Sequence, residues 1–442
     1  RFDSPVDLDI AIYSSSQEKQ LAGFHDDTRQ IGDVRFPSPH LDPSGRWVAP
    51  GDGRYLVAVR NLIGGIDSDP RRVYSLSVRR EEPEVSLVAI ARGGSPTGIN
   101  LQRGGRAIVD VLAFRKRGLN GSIRISARNL PAGLSVPDVW LGPGVDRIPV
   151  TITAHDECQD LVASLELVGE IASANGESDD QLWSVQSGTM IRGGVPAGSG
   201  RITHELPIMV SGQSPIRIAA DGHEPVKHHL YGDIQVRHSP GGILDVAVSV
   251  ERREAGHNAD VKLSVIGLPE SIQHQIATIP AGEAKGYVSL YLPPTIALGT
   301  YTIVIQADTT VAAPGGNVVV YSEPVTFTVA PAAFRLDVEL SAPRTIRRGE
   351  VVKIPYTARR LNGFIGKIHT ELATPNAVTE VGRIRGRGVT FVGQTESGII
   401  QIIANEDAQL GRIPFLRLYG VGVVEDEPMF HGCCFLDLEM VE

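Results

Sequence analysis

Four carboxylates near the start of the chain are the residues whose type and spacing best suit a metal ion. Asp7 and Asp9 would share one face of a strand, and Asp26 and Asp27 follow in a polar stretch. Ca²⁺ prefers hard oxygen ligands of this kind. We therefore predict a calcium site at Asp7, Asp9, Asp26 and Asp27, and calcium is the one cofactor that the sequence suggests. The alternative, in which these carboxylates cap turns and keep a sheet edge solvated, stays open.

A stretch with four histidines is the second candidate for metal chemistry. It contains His223, His228, His229 and His238. A helix aligns two zinc ligands that are four residues apart, but His223 and His228 are five apart and Pro225 opposes a helix. We predict a polar interdomain loop here, with adventitious binding of a transition metal as the alternative.

The sequence carries no recognisable catalytic constellation. The nearest approach to the Gly-x-Ser-x-Gly turn of serine hydrolases is Gly93-Gly94-Ser95-Pro96-Thr97, which lacks the closing glycine. The cysteines Cys158, Cys433 and Cys434 are odd in number, and two adjacent cysteines make a poor disulfide. We expect Cys433 and Cys434 to be buried structural residues. No catalytic residue is predicted, and the chain is not expected to be an enzyme.

Basic residues recur at one position of a repeated pattern described below. They are Arg115, Lys116, Arg117, Arg252, Arg253, Arg359 and Arg360. One interpretation is a stripe that binds an acidic polysaccharide. The other is a set of solvated turns, and the absence of interleaved aromatic side chains favours it.

The elements that must position all these residues are short strands. Apolar and polar residues alternate along Val261-Lys262-Leu263-Ser264-Val265, and β-branched residues are frequent in Tyr301-Thr302-Ile303-Val304-Ile305. Helical periodicity is almost absent. The 48 glycines and 29 prolines among 442 residues supply frequent turns. The pattern predicts an all-β fold of tandem β-sandwich modules.

Charge and hydropathy exclude two classes of partner. The net charge of -9 gives no attraction for nucleic acid or anionic lipid. No apolar run approaches the roughly 18 residues that a membrane-spanning helix needs. We therefore expect neither nucleic acid as a partner nor a membrane-spanning segment.

Three segments share one order of features. Each has a basic stretch, a glycine-containing turn, a strand and a later proline-containing turn. The first turns are Asn120-Gly121, Gly256-His257-Asn258 and Asn362-Gly363, and the later elements are Asn129-Leu130-Pro131, Gly267-Leu268-Pro269 and Ala373-Thr374-Pro375. We expect each basic stretch to end a strand whose return strand is reached by a hairpin.

Short proline-containing linkers divide the chain. They predict four modules: a first segment (1–82), repeat 1 (83–212), repeat 2 (213–331) and repeat 3 (332–442). Each module is expected to have its own separately packed core.

The first segment resembles a known bacterial module. The matching features are Asp7-Leu8-Asp9, the turn Ala49-Pro50-Gly51-Asp52-Gly53 before Tyr55, and a closing strand at Val73-Tyr74-Ser75-Leu76-Ser77-Val78. This order is similar to the pre-peptidase C-terminal domain, a jelly-roll-like β-sandwich appended to secreted peptidases and surface enzymes. Members of that family carry several strands before the Asp-Leu-Asp strand, so the module is predicted to be partial. The three repeats that follow resemble the immunoglobulin-like repeats of large bacterial surface proteins.

The resemblance implies a location and a function. We expect an extracellular, periplasmic or cell-surface bacterial array that is non-catalytic and that spaces or anchors an upstream domain of the same parent protein. Because the chain begins at Arg1 without a leader, we also expect it to be processed or cut. A first alternative is an adhesion module that binds polysaccharide or protein through loops at a sandwich end. A second alternative is the non-catalytic part of a secreted peptidase.

Overall fold

The structure is a computed structural model whose described residues contain only β-strands as regular elements, which confirms the all-β prediction. The described residues are 6–15, 19–26, 35–37, 42–63, 70–80, 84–92, 98–116, 118–172, 178–191, 199–222, 226–228, 230–234, 237–269, 272–274, 277–311, 316–338, 344–375, 377–378, 380–394 and 396–442. Within these ranges no helix has the length and apolarity of a membrane span.

The described residues of the first segment include one three-stranded antiparallel sheet. Its strands are β1 (Leu8–Ser14), β2 (Gln20–Phe24) and β3 (Tyr55–Asn61), in the order β2-β1-β3. The predicted closing strand at 73–78 is wrong, because the described residues 70–80 form no strand. A strand needs a neighbour to complete its backbone hydrogen bonds, and here Val78 is 77% exposed in place of packing on a sheet.

The described residues between 84 and 213 form twelve strands in two sheets. They are β4 (Glu84–Ala91), β5 (Ile99–Arg103), β6 (Arg106–Lys116), β7 (Ile123–Arg128), β8 (Leu134–Ser135), β9 (Val139–Leu141), β10 (Arg147–Ala154), β11 (Leu161–Ser164), β12 (Glu166–Ala172), β13 (Ser178–Ile191), β14 (Ser199–Thr203) and β15 (Pro207–Gln213). The larger sheet has the order β8-β10-β6-β4-β13-β12-β7-β9, with β14 on β13, and the smaller sheet is β11-β15-β5.

Residues 216–329 form a β-sandwich with a small additional hairpin. The strands are β16 (Ile216–Asp221), β17 (Val226–His228), β18 (Gly232–Ile234), β19 (Ile243–Arg252), β20 (Val261–Ile266), β21 (Gln273–His274), β22 (Ala277–Ile279), β23 (Lys285–Tyr291), β24 (Gly299–Val311), β25 (Gly316–Tyr321) and β26 (Val325–Val329). One sheet is β16-β19-β23-β21, the other is β22-β20-β24-β25 with β26 on β24, and β17 pairs with β18.

In the part of 334–441 that the structure describes, the strands form a nine-stranded and a three-stranded sheet. The strands are β27 (Phe334–Val338), β28 (Arg344–Arg347), β29 (Val351–Arg360), β30 (Lys367–Thr374), β31 (Ala377–Val378), β32 (Glu380–Val381), β33 (Ile384–Phe391), β34 (Ser397–Ala404), β35 (Gly411–Arg412), β36 (Arg417–Val424), β37 (Glu427–Phe435) and β38 (Leu438–Val441). The main order is β27-β29-β34-β33-β30-β36-β37, with β31 on β30 and β32 on β33, and β28-β38-β35 form the second sheet.

The strands on either side of each basic stretch are not neighbours, so the predicted hairpins are wrong. Strands β6 and β7 lie apart in one sheet, as do β29 and β30, and β19 and β20 belong to different sheets. Turn residues are set by local sequence, whereas a strand's partner is set by where its apolar face finds cover. Each basic stretch therefore begins a crossover connection.

The apolar core differs from the expected row of separate interiors. One continuous cluster of buried side chains runs from Val85 in repeat 1 to Val329 in repeat 2. Repeat 3 has its own cluster, which includes Phe334 and Ile402. A smaller cluster, which includes Ile243 of repeat 2 and Val421 of repeat 3, connects those two repeats. Repeats 1 and 2 therefore share a core, while the module boundaries themselves stay a prediction.

Glycines allow the close approach of repeats 1 and 2. A Cβ atom on Gly142 would lie 2.2 Å from the ring of Tyr301. A Cβ atom on Gly267 would lie 2.8 Å from the ring of Pro149, and Gly267 has a positive φ of 89°. The Leu141-Gly142 and Gly267-Leu268 turns of the repeated pattern thus form the contact between these repeats.

Candidate functional site

The carboxylate of Asp9, one of the predicted calcium ligands, is already occupied by basic side chains. Asp9 is 2% exposed on β1, and it accepts a hydrogen bond from Arg60 of β3. The Nδ1 atom of His25 lies 3.1 Å from Asp9 Oδ1. Arg60 supplies the favourable charge that a buried carboxylate requires.

The other three predicted ligands are not brought to Asp9 by any contact among the described residues. Asp7 precedes β1, and its backbone N–H donates to Asn61 Oδ1 at 3.1 Å. Asp26 forms an isolated β-bridge with Pro43. Asp27 lies outside the described residues, within which no group of three or more His, Cys, Asp or Glu side chains could hold a metal ion. The calcium site stays a prediction.

The histidine-rich stretch is only partly described. His223 and His229 lie outside the described residues, and His228 ends β17, which pairs with β18. The prediction of a loop throughout is therefore wrong at 226–228. His238 packs with its ring 5.7 Å from that of His431 in repeat 3.

The recurring arginines donate hydrogen bonds from the ends of strands to carbonyl oxygens of the crossover connections and nearby turns. Arg115, at the end of β6, donates to the carbonyl oxygens of Gly121 at 2.6 Å and Gly142 at 3.1 Å. It also contacts the carbonyl oxygens of Leu141 and Val145 at 3.4 Å. Burial lowers the pKa of the Arg115 guanidinium from its usual value. The planar guanidinium has five N–H donors, so one side chain can hydrogen-bond several carbonyl oxygens that have no backbone partner.

The same position has the same role in the other repeats. Arg252, at the end of β19, donates to the carbonyl oxygens of Ala259 at 2.9 Å and Glu283 at 3.2 Å. Arg360, at the end of β29, donates to the carbonyl oxygen of Gly366 at 2.5 Å. The guanidinium groups of these arginines are thus bonded to backbone carbonyl oxygens, contrary to the solvated-turn interpretation, and the polysaccharide interpretation stays a hypothesis. The signal in the sequence was their position at the last residues of a strand.

The neighbouring basic residues have different environments. Arg253 bonds to Asp156 and thereby joins repeat 2 to repeat 1. Arg359 is exposed, as the solvated-turn interpretation requires. Lys116 is half-buried, and Arg117 lies outside the described residues.

Cys433 is buried, as the sequence predicts, whereas Cys434 is only half-buried. Cys158, Cys433 and Cys434 are all free thiols. Burial raises the pKa of Cys433 to about 12, and burial likewise raises the pKa of Cys434. A thiol that stays protonated at neutral pH is a poor nucleophile and a poor metal ligand.

A cleft of about 890 Å³ lies where the first segment meets repeats 1 and 2. We call it the junction cleft, and we define it by the lining residues Arg35, Arg92, Asp110, Asp146, Arg147 and Leu268. Asp110 is 2% exposed on β6, and Arg147 Nη2 lies 2.5 Å from its Oδ2 atom. Arg92 Nε lies 3.5 Å from the same oxygen. One buried carboxylate therefore positions two guanidinium groups.

A second pair lines the same cleft. Arg35 Nη1 lies 3.1 Å from Asp146 Oδ2, and the Arg35 guanidinium lies over the ring of Phe114 with 4.9 Å to its centroid. The cation–π contact fixes the side chain from the side of repeat 1. No sequence motif marks this cleft, because its residues come from three modules.

A buried ion pair connects repeat 2 to repeat 3. Arg417, on β36, donates to both carboxylate oxygens of Asp245, on β19, at 2.8 and 2.5 Å. Ser289 of β23 donates to Asp245 Oδ1 at 2.6 Å. Arg417 is 4% exposed; burial alone would lower its pKa, but the Asp245 carboxylate raises it above the usual value. We call this set of contacts the charged joint.

Two further titratable side chains are buried beside the charged joint. His431, on β37, is 3% exposed, and burial, together with nearby His238 and Arg417, holds its pKa well below the usual value. Glu371, on β30 opposite Tyr419, is fully buried, and that burial raises its pKa to about 7. Near neutral pH the surroundings of the charged joint therefore include a neutral imidazole and a carboxyl group close to its titration midpoint.

Comparison with known proteins identifies no family. No protein-family model matches the chain, and no curated protein matches it. The chain is similar in structure to the fibronectin(III)-like modules of Clostridium thermocellum CbhA, with 12% identity over 51% of this chain and 95% of that one, and a TM-score of 0.17. It is similar to a putative membrane anchored protein from Corynebacterium diphtheriae, with 9% identity over 99% of this chain and 96% of that one, and a TM-score of 0.19. These scores are too low to support a function, and the all-β assignment rests on the strands themselves.

Proposed function

We propose that this chain is a non-catalytic array of β-sandwich modules that holds another domain of the same parent protein at a fixed distance and orientation. The parent would be a bacterial protein of the cell surface, the periplasm or the extracellular space. In this proposal the first segment is a partial module of the pre-peptidase C-terminal type, with or without calcium, and the three repeats are immunoglobulin-like.

One observation carries the proposal: both junctions between consecutive repeats are filled with buried side chains. The junction of repeats 1 and 2 lies inside one continuous apolar cluster. The junction of repeats 2 and 3 contains the charged joint and its surrounding apolar residues. A flexible string of domains exposes polar linkers at such places, whereas a large apolar interface restricts relative motion of the domains.

The proposal is tested by measuring how rigidly repeat 3 is held on repeat 2. Spin labels are attached after the exposed residues Glu283 and Lys353 are each replaced by cysteine, and the distance distribution is measured by pulsed electron paramagnetic resonance. The native cysteines have raised pKa values or are buried, so they label slowly. We expect one narrow distance peak.

A matched variant shows whether the charged joint causes the rigidity. Replacing Asp245 and Arg417 together by alanine should broaden the distribution, because the joint loses both its ion pair and its packing. A broad distribution in the unaltered chain would contradict the spacing function. The chain without introduced cysteines serves as the labelling control.

A further inference from the structure

The junction cleft contains more positive than negative charge, although the chain as a whole is acidic. Its lining has three guanidinium groups, Arg35, Arg92 and Arg147, and two carboxylates, Asp110 and Asp146. Arg35 and Asp146 balance each other, whereas Asp110 alone faces two arginines. Among the lining residues that the structure describes, guanidinium groups therefore outnumber carboxylates by one, within a protein of net charge -9. Such a site attracts an anionic group.

Arg92 has donor capacity to spare. Its Nη1 atom is buried and finds no hydrogen-bond acceptor among the residues that the structure describes. Its Nε atom contacts Asp110 only at 3.5 Å. The Nη1 atom itself is closed to solvent, but the Arg92 side chain is 28% exposed and the Arg147 side chain is 52% exposed. A carboxylate in the cleft would accept from the exposed N–H groups, since Arg fits a carboxylate with parallel donors.

The walls beside these arginines are apolar and conformationally restricted. Pro143, Pro149 and Pro269 line the cleft, and Leu268 and Ile296 lie with them. Proline fixes the backbone φ, so the walls need little reorganisation when a ligand binds. The cleft volume of about 890 Å³ lies within the range typical of ligand-binding pockets.

The residue types that line the cleft also favour one class of ligand over another. Tyr301 is the one aromatic residue among the lining side chains that the structure describes, and it is 1% exposed, so it offers no platform on which a sugar ring could stack. Apolar walls next to guanidinium groups suit a carboxylate that is flanked by apolar side chains. We propose that the junction cleft binds an acidic peptide segment in which Glu or Asp alternates with apolar residues. This proposal does not rest on the spacing function.

The test uses the whole chain and a defined pool of peptides. The pool is Ac-X-Glu-X-Glu-X-NH₂, where X is an equal mixture of leucine, valine and proline, and its matched control has glutamine at both Glu positions. Saturation-transfer difference NMR is recorded with the unaltered chain and with Arg92→Gln, Arg147→Gln and Arg383→Gln. Arg383 is the control arginine, because it lies on the surface of repeat 3 with an exposed side chain.

We expect binding of the acidic pool but not of the glutamine pool. Affinity should fall about tenfold in Arg92→Gln and in Arg147→Gln, and it should be unchanged in Arg383→Gln. High salt should weaken binding, because part of the attraction is between charges that solvent reaches. Thermal unfolding of each variant shows that the loss does not come from unfolding.

Three results would overturn the proposal. They are no binding of the acidic pool, equal binding of both pools, and equal loss in Arg383→Gln. A polyuronate oligosaccharide is measured in parallel. Tight binding of that sugar, lost in Arg147→Gln and without any binding of the acidic peptides, would show that the cleft is a polysaccharide site and that the peptide assignment is wrong.

Discussion

Arg417 of repeat 3 and Asp245 of repeat 2 form a bidentate pair across 172 residues of sequence. Arg417 begins β36, whose other residues are uncharged, and Asp245 lies on β19, which carries further polar residues. Apolar residues around the pair form the cluster that connects the two repeats. Taking two charges out of water is costly, so the pair is stable only because each side satisfies the other. The pair therefore fixes which faces of repeats 2 and 3 meet.

Removal of one partner should be more damaging than removal of both. Asp245→Ala leaves the Arg417 guanidinium buried without its carboxylate, and we expect a loss of about 3 to 5 kcal/mol in the free energy of unfolding of repeat 3. Asp245→Leu combined with Arg417→Met should recover most of that loss. Calorimetry of the three chains measures the difference. Equal destabilisation by the single and the double variant would mean that the pair contributes only by packing.

Stability should fall as the pH rises past the titration range of Glu371. Its pKa is about 7 in the folded protein and about 4.5 when unfolded, so the folded state binds the proton more tightly. The resulting stabilisation is complete below pH 4.5 and is lost as the pH rises to about 7, a change of about 3 kcal/mol. Glu371→Gln should remove this part of the pH dependence, measured by urea unfolding between these limits. An unchanged slope in the variant would contradict the assignment.

His431 should give the opposite pH dependence. Because its folded pKa lies well below the unfolded value of 6.5, the unfolded state binds the proton more tightly. Stability should therefore be complete above pH 6.5 and should fall as the pH decreases from there toward the folded pKa. Its facing groups are His238, Arg417 and the ring of Tyr419. Hydrogen exchange of β37 against pH, in the unaltered chain and in His431→Gln, measures the effect, and β34 serves as the internal reference.

The arginine that fastens the crossover in repeat 1 should not be replaceable by lysine. Arg115→Lys keeps the charge but loses the planar fork that reaches Gly121 and Gly142 together. We expect a loss of about 1 to 3 kcal/mol from the unsatisfied carbonyls. The exposed Arg359→Lys is the matched control and should change stability by less than about 0.5 kcal/mol. Equal effects of the two substitutions would return Arg115 to the solvated-turn interpretation.

A single methyl group at Gly142 should disturb the contact between repeats 1 and 2. The new Cβ atom would lie 2.2 Å from the Tyr301 ring, so the two repeats must separate or repack. Gly142→Ala should cost about 1 to 3 kcal/mol, whereas Gly51→Ala, which has no atom within 4 Å of the new Cβ, should cost little. Thermal unfolding compares the two. A neutral Gly142→Ala would show that the junction tolerates movement.

Local pattern predicted the strands but not their partners. The sequence predicts the strand Val261–Ile266 and the turn at Asn362-Gly363, because both depend on neighbouring residues. The φ angles of the two turn residues are 48° and 74°. The crossover connections could not be predicted, because strand pairing, such as that of β29 with β34, depends on residues that are distant in sequence. The stretch at 73–78 alternates correctly, yet no partner strand completes it among the described residues.

The functional regions were even less visible in the sequence. Asp245 fits the apolar–polar alternation of β19, and Arg417 is the first residue of β36, so neither is marked in the sequence as half of a buried ion pair. No sequence motif marks the junction cleft either. Arg35 and Arg147 are ordinary surface residues in sequence, and only the packing of three modules brings them together.

The close contacts between glycines and bulky rings at the junction of repeats 1 and 2 restrict how the chain can evolve. The ring of Tyr301 packs against Gly142, and the ring of Pro149 packs against Gly267. The contacting surfaces of repeats 1 and 2 are therefore complementary in shape to each other. Repeats 1, 2 and 3 are therefore not interchangeable, even though they share an order of features. Duplication or shuffling of a single unit would pair unmatched surfaces, and such an array could lengthen only by copying matched neighbours together.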